Sequence, residues 1–270
     1  MRKITIWSFL LAFILSFSWH AFAQKPEEIN LDLNLPEKPG LYEIKGRSDL
    51  KLRVFAHPEK PEKIEGQSFF KKDRNANSTS YVCGLGDPDS DLLVDRANWK
   101  LPNSWQVKIN LSTVPSTVGR NNFSEIVQNS FNAWLNAINN KVNIIYDKTT
   151  FTSKARFDGQ NIIAFSSAPA GYLAVSYIWY NKDGYAVEVD TILNNKYRWY
   201  WSKDTNCAYQ NGYDAQNILT HEIGHSFGLD DEYENSYKDH TMYGYGAQGE
   251  VKKDTLTTGD KNSVFSLYSN

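Results

Sequence analysis

The stretch THEIGHSFGLDDEY, residues 220–233, constrains the fold of this chain more than any other. Residues four apart on an α-helix lie on the same face, so a helix here places His221 and His225 side by side. Gly228 follows three residues later, and glycine tolerates the left-handed conformation that ends a helix. The sequence therefore predicts a helix that carries two adjacent imidazoles, followed by a turn that leads the chain back toward them.

This arrangement is typical of a zinc site. Imidazole nitrogens bind zinc at about 2.0–2.1 Å, and His221 and His225 can share one ion in this way. Asp231 follows the turn, where the reversed chain brings a carboxylate to the metal as a third ligand. Three protein ligands leave a fourth position open for water, which is the catalytic arrangement. Glu222 projects from the adjacent face of the helix and is the predicted general base.

Other residues compete with Asp231 for the third ligand position. Asp230 and Glu232 flank it directly, and His240 follows closely in the sequence. His57 is the remaining alternative histidine in the mature chain. A helix with two histidines and an adjacent glutamate also occurs without a metal, so the glycine and the aspartate after it supply much of the specificity.

The first 23 residues are typical of a secretory signal peptide. Arg2 and Lys3 form the charged start, an apolar stretch covers residues 4–17, and small residues end at Ala23 before Gln24. The apolar stretch is shorter than the roughly 20 residues that a membrane span needs. We therefore predict cleavage after Ala23 and a secreted or periplasmic protein with no stable membrane insertion.

Charge and composition narrow the choice of partner. The chain of 270 residues has a formal net charge of −2 and no long basic run, which argues against nucleic acid or anionic lipid as its main partner. Residues 24–98 are rich in Pro, Glu and Lys, which predicts an extended or loosely packed N-terminal segment. Within it, LKLRVFAH predicts one or two strands.

Residues 99–270 show regular strand and helix patterns. WQVKINL predicts a strand, and the helical spacing in NNFSEIVQNSFNAWLNAINN predicts a helix with Asn122 as its N-cap. Further strands are predicted at KVNIIYD, NIIAFSS, GYLAVSYIWY and GYAVEVDTIL, with NKDG as a turn between the last two. A final helix is predicted near the end of the chain, and Thr257 and Asp260 have capping-box spacing at its start. These patterns predict an α+β domain with a mixed twisted sheet and three main helices.

HEIGHSFGLDD resembles the signature H-E-x-x-H-x-x-G-x-x-H of the metzincin zinc peptidases, and above all their matrixin-like group. It matches every fixed position except the last, where Asp231 stands, as aspartate also does in snapalysin-like secreted proteases. HTMYGY resembles the methionine turn of the family, which implies that Met242 forms a hydrophobic floor under the metal. The first strand, first helix and closing helix of residues 99–270 also resemble those of a matrixin catalytic domain.

The resemblance also implies where a substrate binds. GYLAVSYIWY resembles the edge strand that pairs with an extended peptide by adding it to the sheet. Leu173 and Ala174 of this strand and Tyr243 and Tyr245 after the methionine turn are then candidates for the substrate pocket. Gly244 stands where the family usually has proline, which affects the size of that pocket.

The metals implied by the resemblance are one catalytic Zn²⁺ and, in matrixins, a structural zinc and calcium ions. The structural zinc uses a histidine in the edge strand, but Val175 stands at the equivalent place and the central region has no histidine. We therefore predict no second zinc. Asp183 and Asp190 are the carboxylates available for calcium.

Cys83 and Cys207 are the two cysteines of the chain. In an oxidising compartment the simplest prediction is one disulfide between them. VCGLGDPDSD also resembles the matrixin pro-segment, in which a cysteine thiolate caps the zinc until it is removed. Tyr81 and Val82 stand where the family has arginine and proline, so we favour the disulfide and keep the capping thiolate as the alternative.

These observations predict a secreted zinc endopeptidase that acts as a monomer on polypeptides. Its expected organisation is a signal peptide over residues 1–23, an N-terminal pro-segment or accessory region over 24–98 and a catalytic domain over 99–270. One alternative is a non-catalytic, zinc-stabilised surface or adhesive module on a protease-like fold. Glu222 argues against it, because a structural zinc usually has four protein ligands and needs no base. Another alternative is a peptidase that is active only after residues up to about 98 are removed.

Overall fold

The computed structural model describes residues 27–30, 35–60, 87–203 and 211–269 of the chain. The predicted signal peptide and both cysteines, Cys83 and Cys207, lie outside these ranges. Within them, no helix has both the length and the apolar character needed to cross a membrane.

The described ranges contain ten strands and three α-helices. The strands are β1 (Glu27–Ile29), β2 (Gly40–Ile44), β3 (Leu50–Pro58), β4 (Ser104–Ile109), β5 (Asn143–Asp147), β6 (Ile162–Ser166), β7 (Tyr172–Asn181), β8 (Ala186–Asn194), β9 (Trp199–Tyr200) and β10 (Tyr213–Asp214). The helices are α1 (Arg120–Ala137), α2 (Ala215–Ser226) and α3 (Thr258–Tyr268).

Eight of these strands form one mixed sheet in the order β1-β2-β3-β7-β8-β6-β4-β5. The pairs β4–β5, β4–β6 and β6–β8 are parallel, whereas β7 is antiparallel to both of its neighbours, β3 and β8. Strands β9 and β10 form a separate parallel pair. The predicted α+β class, with a mixed sheet and three main helices, is confirmed.

Helices α1 and α2 pack together over one face of the sheet. Trp134 of α1 is fully buried, and its indole N–H donates to the carbonyl oxygen of Thr220 in α2 at 2.8 Å. The Thr220 and Ser130 hydroxyls form a second bond between the helices at 3.0 Å. These bonds satisfy polar groups that would otherwise be buried without a partner. Because both involve Thr220, they fix the position of α2 directly before His221.

The helix boundaries follow from their caps. At α1 the predicted N-cap, Asn122, is wrong: the helix begins earlier, with Gly119 as N-cap and no side-chain cap bond. Asn122 instead donates from its side-chain amide to the Val118 carbonyl at 2.8 Å. At α3 the predicted capping box of Thr257 and Asp260 is confirmed.

Strand β3 lies beside β7, where the family resemblance predicted an open edge. The LKLRVFAH segment forms a single strand that pairs antiparallel with β7 from Leu50, opposite Asn181, to Pro58, opposite Tyr172. Strand β2 in turn pairs with the outer side of β3. In this chain β7 is therefore an interior strand.

Strand β3 is held there by apolar side chains on its far face. Leu52 and Val54 are fully buried in a cluster with Val175 and Ile192 on the face of the sheet away from α2. Full burial of such a side chain contributes about 1.5–3 kcal/mol. The strand predicted at LKLRVFAH is therefore confirmed as β3, and β2, in the Pro-, Glu- and Lys-rich part before it, is an extended strand that pairs with β3 and is not loosely packed.

Gly228 ends α2 and turns the chain back toward the helix. Its φ is +98°, in the left-handed region, and its N–H donates to the carbonyl oxygen of His225 at 3.0 Å. A Cβ at this position would overlap the carbonyl oxygen of Trp99. Glycine is thus required both by the backbone conformation and by the neighbouring chain.

Gly228→Ala is expected to destabilise the protein by roughly 3 kcal/mol or more, because strain at a positive φ adds to the overlap with Trp99. The matched control is Gly159→Ala, where φ is +76° and no atom lies within 4 Å of the added Cβ. The control variant should lose only about 1 kcal/mol. Urea unfolding of both variants measures the difference, and equal losses would contradict the role of the Trp99 contact.

Candidate metal centre

Helix α2 begins at a well-formed N-cap. The Asp214 carboxylate accepts the backbone N–H groups of Gln216 and Asn217, each at 2.9 Å. Except for Gln216, every residue of the helix is buried, because α1, the sheet and the turns after the helix surround it. His221 and His225 therefore face the protein interior, as expected from their spacing.

Two backbone carbonyl groups orient the histidines. Nδ1 of His221 lies 2.7 Å from the Thr241 carbonyl oxygen, and Nδ1 of His225 lies 2.9 Å from the Leu229 carbonyl oxygen. A carbonyl oxygen only accepts, so Nδ1 carries the proton in both rings and Nε2 presents a lone pair. Burial also lowers the pKa of both imidazoles, which favours this neutral, metal-binding form.

The Asp231 carboxylate lies against both lone pairs. Its Oδ1 is 3.1 Å from Nε2 of His221 and 3.5 Å from Nε2 of His225. Nε2 of His221 and Oδ1 of Asp231 are buried and have no hydrogen-bond partner. Three acceptor atoms at these distances repel one another unless a cation lies between them, so this set fits a metal ion.

The second oxygen of Asp231 is held by a tyrosine. The Tyr233 phenol donates to Oδ2 of Asp231 at 3.1 Å. Oδ1 is thereby left facing the histidines. This support lies two residues beyond the aspartate, within the same reversal of the chain.

The acidic neighbours of Asp231 are engaged elsewhere. Asp230 accepts from the Arg53 guanidinium at 3.2 Å, and the same oxygen accepts the backbone N–H of Asp231. Glu232 accepts the backbone N–H of Asp95 at 2.7 Å. Of the three adjacent carboxylates, the structure brings Asp231 to the histidine pair.

His240 is likewise engaged away from the pair. Its Nδ1 lies 3.0 Å from the Thr257 hydroxyl, and its Nε2 lies 2.9 Å from the Ser90 hydroxyl. Both ring nitrogens therefore have hydrogen-bond partners at the start of α3 and in the chain before β4. The structure does not bring His240 together with His221 and His225.

Glu222 reaches the same cavity from the next position on α2. Its Oε2 accepts from the Ser176 hydroxyl of β7 at 2.6 Å, while Oε1 is buried without a partner. Burial raises the pKa of Glu222 to about 8, against the opposing effect of the Ser176 bond. A carboxyl group that exchanges its proton near neutral pH suits general acid–base chemistry.

Sequence reasoning missed Ser176 as the residue that orients Glu222. Ser176 also bonds to the Thr191 hydroxyl of β8 at 3.0 Å, so the two strands fix its position. The available signal was a polar residue on a strand that is otherwise largely apolar. That signal does not identify a partner 46 residues away.

Met242, which the resemblance placed under the metal, packs against Gly224 of α2. It is fully buried, and a Cβ on Gly224 of the helix would overlap its sulfur atom. The Met242 carbonyl oxygen accepts the N–H of Glu232 at 2.9 Å, and the Gly244 N–H donates to the Glu232 carbonyl at 2.8 Å. The methionine turn is thus joined to the segment that carries Asp231.

A buried lysine supports the turn from below. The Lys253 ammonium group donates to the carbonyl oxygens of Thr241 and Tyr243, and its backbone N–H donates to the Asn217 side chain of α2. Burial lowers the pKa of Lys253 to about 8. Lys253 ties the turn to the helix, and no sequence pattern indicated this role.

The predicted substrate-pocket residues fall into two groups. Tyr243 and Tyr245 stand together after the methionine turn, with ring centroids 5.6 Å apart. Leu173 and Ala174 of β7 are fully buried, and Ala174 pairs directly with His57 of β3. Strand β3 therefore covers the part of the pocket that β7 was expected to line.

Asp190, a calcium candidate, has its carboxylate oxygens occupied by backbone groups. Oδ2 accepts the N–H of Arg156 at 2.9 Å and Oδ1 accepts the N–H of Ile162 at 3.0 Å. Asp183 lies in the turn between β7 and β8. Neither belongs to the two sets of three or more ligand-type side chains that converge within 4.8 Å in the described ranges.

Those two sets share His221. One is His221, His225 and Asp231, and the other is His57, His221 and Glu222. A protein-family model described as matrixin matches residues 98–269. The chain belongs to the matrixin family. Matrixins are zinc metallopeptidases, which agrees with the chemistry of the first set.

No curated protein matches the chain in a sequence comparison. The family match covers α1 to α3 and β4 to β10, whereas β1 to β3 precede it. The assignment to the zinc metallopeptidases therefore applies to residues 98–269, which include the candidate centre.

Asp260 connects α3 to the methionine turn. One carboxylate oxygen, Oδ2, accepts the backbone N–H groups of Thr241 at 2.9 Å and Thr257 at 3.0 Å. Although burial opposes it, contact with His240 and these hydrogen bonds hold the pKa of Asp260 below its usual range. The stability contributed by this group is therefore full above the ordinary aspartate pKa of about 3.9 and is lost as the pH falls through the lower native pKa.

Asp260→Asn should lower the free energy of unfolding by about 2–3 kcal/mol at pH 7, because charge-assisted bonds to two backbone amides are weakened. The difference from wild type should shrink as the pH falls below about 4 and toward the lower native pKa, because protonation then removes the charge of the wild-type carboxylate. Urea unfolding with excess chelator at both pH values measures it. Asp183→Asn, in the exposed turn, is the matched control, and a difference independent of pH would contradict the role of the charge.

Proposed function

We propose that the chain is a secreted zinc endopeptidase in which His221, His225 and Asp231 hold the catalytic zinc. The observation that carries the proposal is the convergence of their three acceptor atoms, with 3.1 and 3.5 Å between Asp231 Oδ1 and the two imidazole nitrogens. The fixed Nδ1 tautomers make this convergence unfavourable without a cation. Asp230 and His240, which have other partners, are therefore weaker candidates for the third ligand.

When bound, zinc would lower the pKa of a water molecule and polarise the peptide carbonyl group. Glu222 is the proposed base: its unpartnered Oε1 takes a proton from the attacking water and then returns it to the leaving amine. Ser176 positions this carboxyl group through Oε2. Met242 and Lys253 hold the helix and the turn in place beneath it.

The proposed substrate is an extended polypeptide. Strand β7 would pair antiparallel with this substrate in place of β3, which occupies that side of β7 in the structure, and Tyr243 and Tyr245 would form the wall of the pocket. Secretion rests on the signal-peptide pattern of residues 1–23. The division into a pro-segment or accessory region over 24–98 and a catalytic domain over 99–270 is part of the same proposal.

A non-catalytic zinc module on this fold remains the second candidate. It would keep the three zinc ligands but have no use for Glu222. The bond from Ser176 to Glu222 favours the peptidase, because a dedicated contact orients a base that a structural site does not need. Full-length and trimmed protein, assayed on an unfolded protein substrate with and without a chelator, distinguishes the two.

Glu222→Ala is expected to keep zinc but to lose peptide cleavage by about 10²–10⁴-fold, the usual contribution of a general acid–base group. Zinc content is measured by atomic absorption and cleavage with an unfolded protein substrate. Wild-type protein with zinc removed is the comparison for complete loss. Full activity in the variant would overturn the proposed mechanism.

Asp231→Ala is expected to weaken zinc binding by more than about 100-fold, beyond the roughly 10–100-fold loss that is usual for a group that only orients a ligand. Asp230→Ala is the matched control: it removes the adjacent carboxylate, which pairs with Arg53, and should leave zinc affinity nearly unchanged. Competition with a chromogenic chelator measures both. Weaker binding in the Asp230 variant alone would transfer the ligand role to that residue.

A further inference from the structure

Strand β3 crosses directly over the candidate metal centre. Three alternate residues of the strand, Arg53, Phe55 and His57, point toward α2 and the reversal that follows it. The Phe55 ring stacks on the His225 ring with centroids 3.7 Å apart, and Arg53 pairs with Asp230 at 3.2 Å. One row of β3 side chains thus covers the centre along its length.

His57 is the member of this row that reaches the reacting groups. Its ring meets the His221 ring edge-on, with centroids 4.0 Å apart, and its Nδ1 lies 3.8 Å from Oε1 of Glu222. It is 1 % exposed, and neither ring nitrogen has a hydrogen-bond partner. A buried imidazole with two unpartnered nitrogens requires a bound ligand, a metal ion or a water molecule, to compensate for its lost hydration.

The surroundings of His57 indicate what that ligand is. His57, His221 and Glu222 each offer a ligand-type atom, and these atoms lie within 4.8 Å of one another. Because Nδ1 of His221 is committed to the Thr241 carbonyl, its Nε2 is the nitrogen available to a metal. His57 therefore lies on the Glu222 side of His221, and His221 is the residue that this set shares with His225 and Asp231.

The backbone around His57 occupies the side of β7 that the family resemblance assigns to a substrate. It pairs antiparallel with β7 on one side, and on the other Glu59 forms a parallel bridge with Gly246, just after the methionine turn. The Gly246 N–H donates to the Pro58 carbonyl at 3.1 Å, and the Lys60 N–H donates to the Gly246 carbonyl at 2.8 Å. This segment therefore lies between β7 and Gly246, next to the predicted pocket residue Tyr245.

We propose that His57 is a further protein ligand of the catalytic metal, presented by β3 at the position that water or substrate needs. The inference rests on the proposed function of the centre. The full chain then holds the metal through three imidazoles and one carboxylate, and Glu222 has no access to a reacting water. Cleavage requires that β3 leaves the edge of β7.

The first test counts the ligands in the full-length wild-type protein. X-ray absorption at the zinc edge should require three imidazoles if His57 binds and two if only His221 and His225 do. A fit with two imidazoles would overturn the proposal. This measurement needs no variant, so it does not depend on whether a substituted protein folds.

The second test replaces His57 in the full-length chain loaded with Co²⁺. His57→Phe keeps a planar ring but removes both nitrogens, and His57→Ala is the smaller alternative. Either variant should change the visible spectrum of Co²⁺, weaken metal binding by at least about tenfold and raise peptide cleavage at saturating metal. Val54→Ala is the matched control, since it shortens a β3 side chain on the opposite face and should keep the wild-type spectrum.

The outcomes separate this inference from the proposed function. Unchanged spectra and affinities in the His57 variants, together with weaker binding in Asp231→Ala, would overturn the His57 assignment alone. If the wild-type chain binds no Co²⁺, both proposals fail. A changed spectrum without peptide cleavage in any form would support the ligand assignment and contradict the endopeptidase.

Discussion

The hydrogen bonds from the two histidines to backbone carbonyl groups determine the rest of the centre. Each fixes a tautomer, and so decides which nitrogen of the ring is left to bind a metal. The Thr241 carbonyl belongs to the methionine turn and the Leu229 carbonyl to the reversal after Gly228. The helix therefore presents its ligands correctly only when both loops are folded. Asp260 and Lys253 matter for the same reason, although neither faces the cavity, because they hold the turn that carries Thr241.

Much of the centre could be predicted from sequence because it is local. Residues 221–231 contain both histidines, the base, the helix-ending glycine and the aspartate, and the regular spacing of a helix and one turn brings them together. The same holds for the capping box at Thr257. The cap of α1 was missed because Gly119 lies before the apolar pattern starts and offers no side chain that would mark it.

What could not be predicted depends on pairing between distant segments. The alternation in LKLRVFAH predicts a strand but does not specify its neighbour, and β3 pairs with residues more than a hundred positions away. The resemblance to matrixins predicted an open edge, because the family pattern begins only after β3. Ser176 and Lys253 were missed for the same reason: each acts through one tertiary contact that leaves no periodic trace in the sequence.

The position of β3 inside the sheet has a kinetic consequence. Strand β2 bonds to the outer side of β3, and β1 bonds to β2, so the three strands leave β7 together or not at all. Their departure would reduce the sheet from eight strands to five and expose the apolar side chains that pack against Leu52 and Val54. Opening of this kind is cooperative and has a high barrier. We therefore expect the three strands to be displaced once, before the first turnover, and not to open and close in every catalytic cycle.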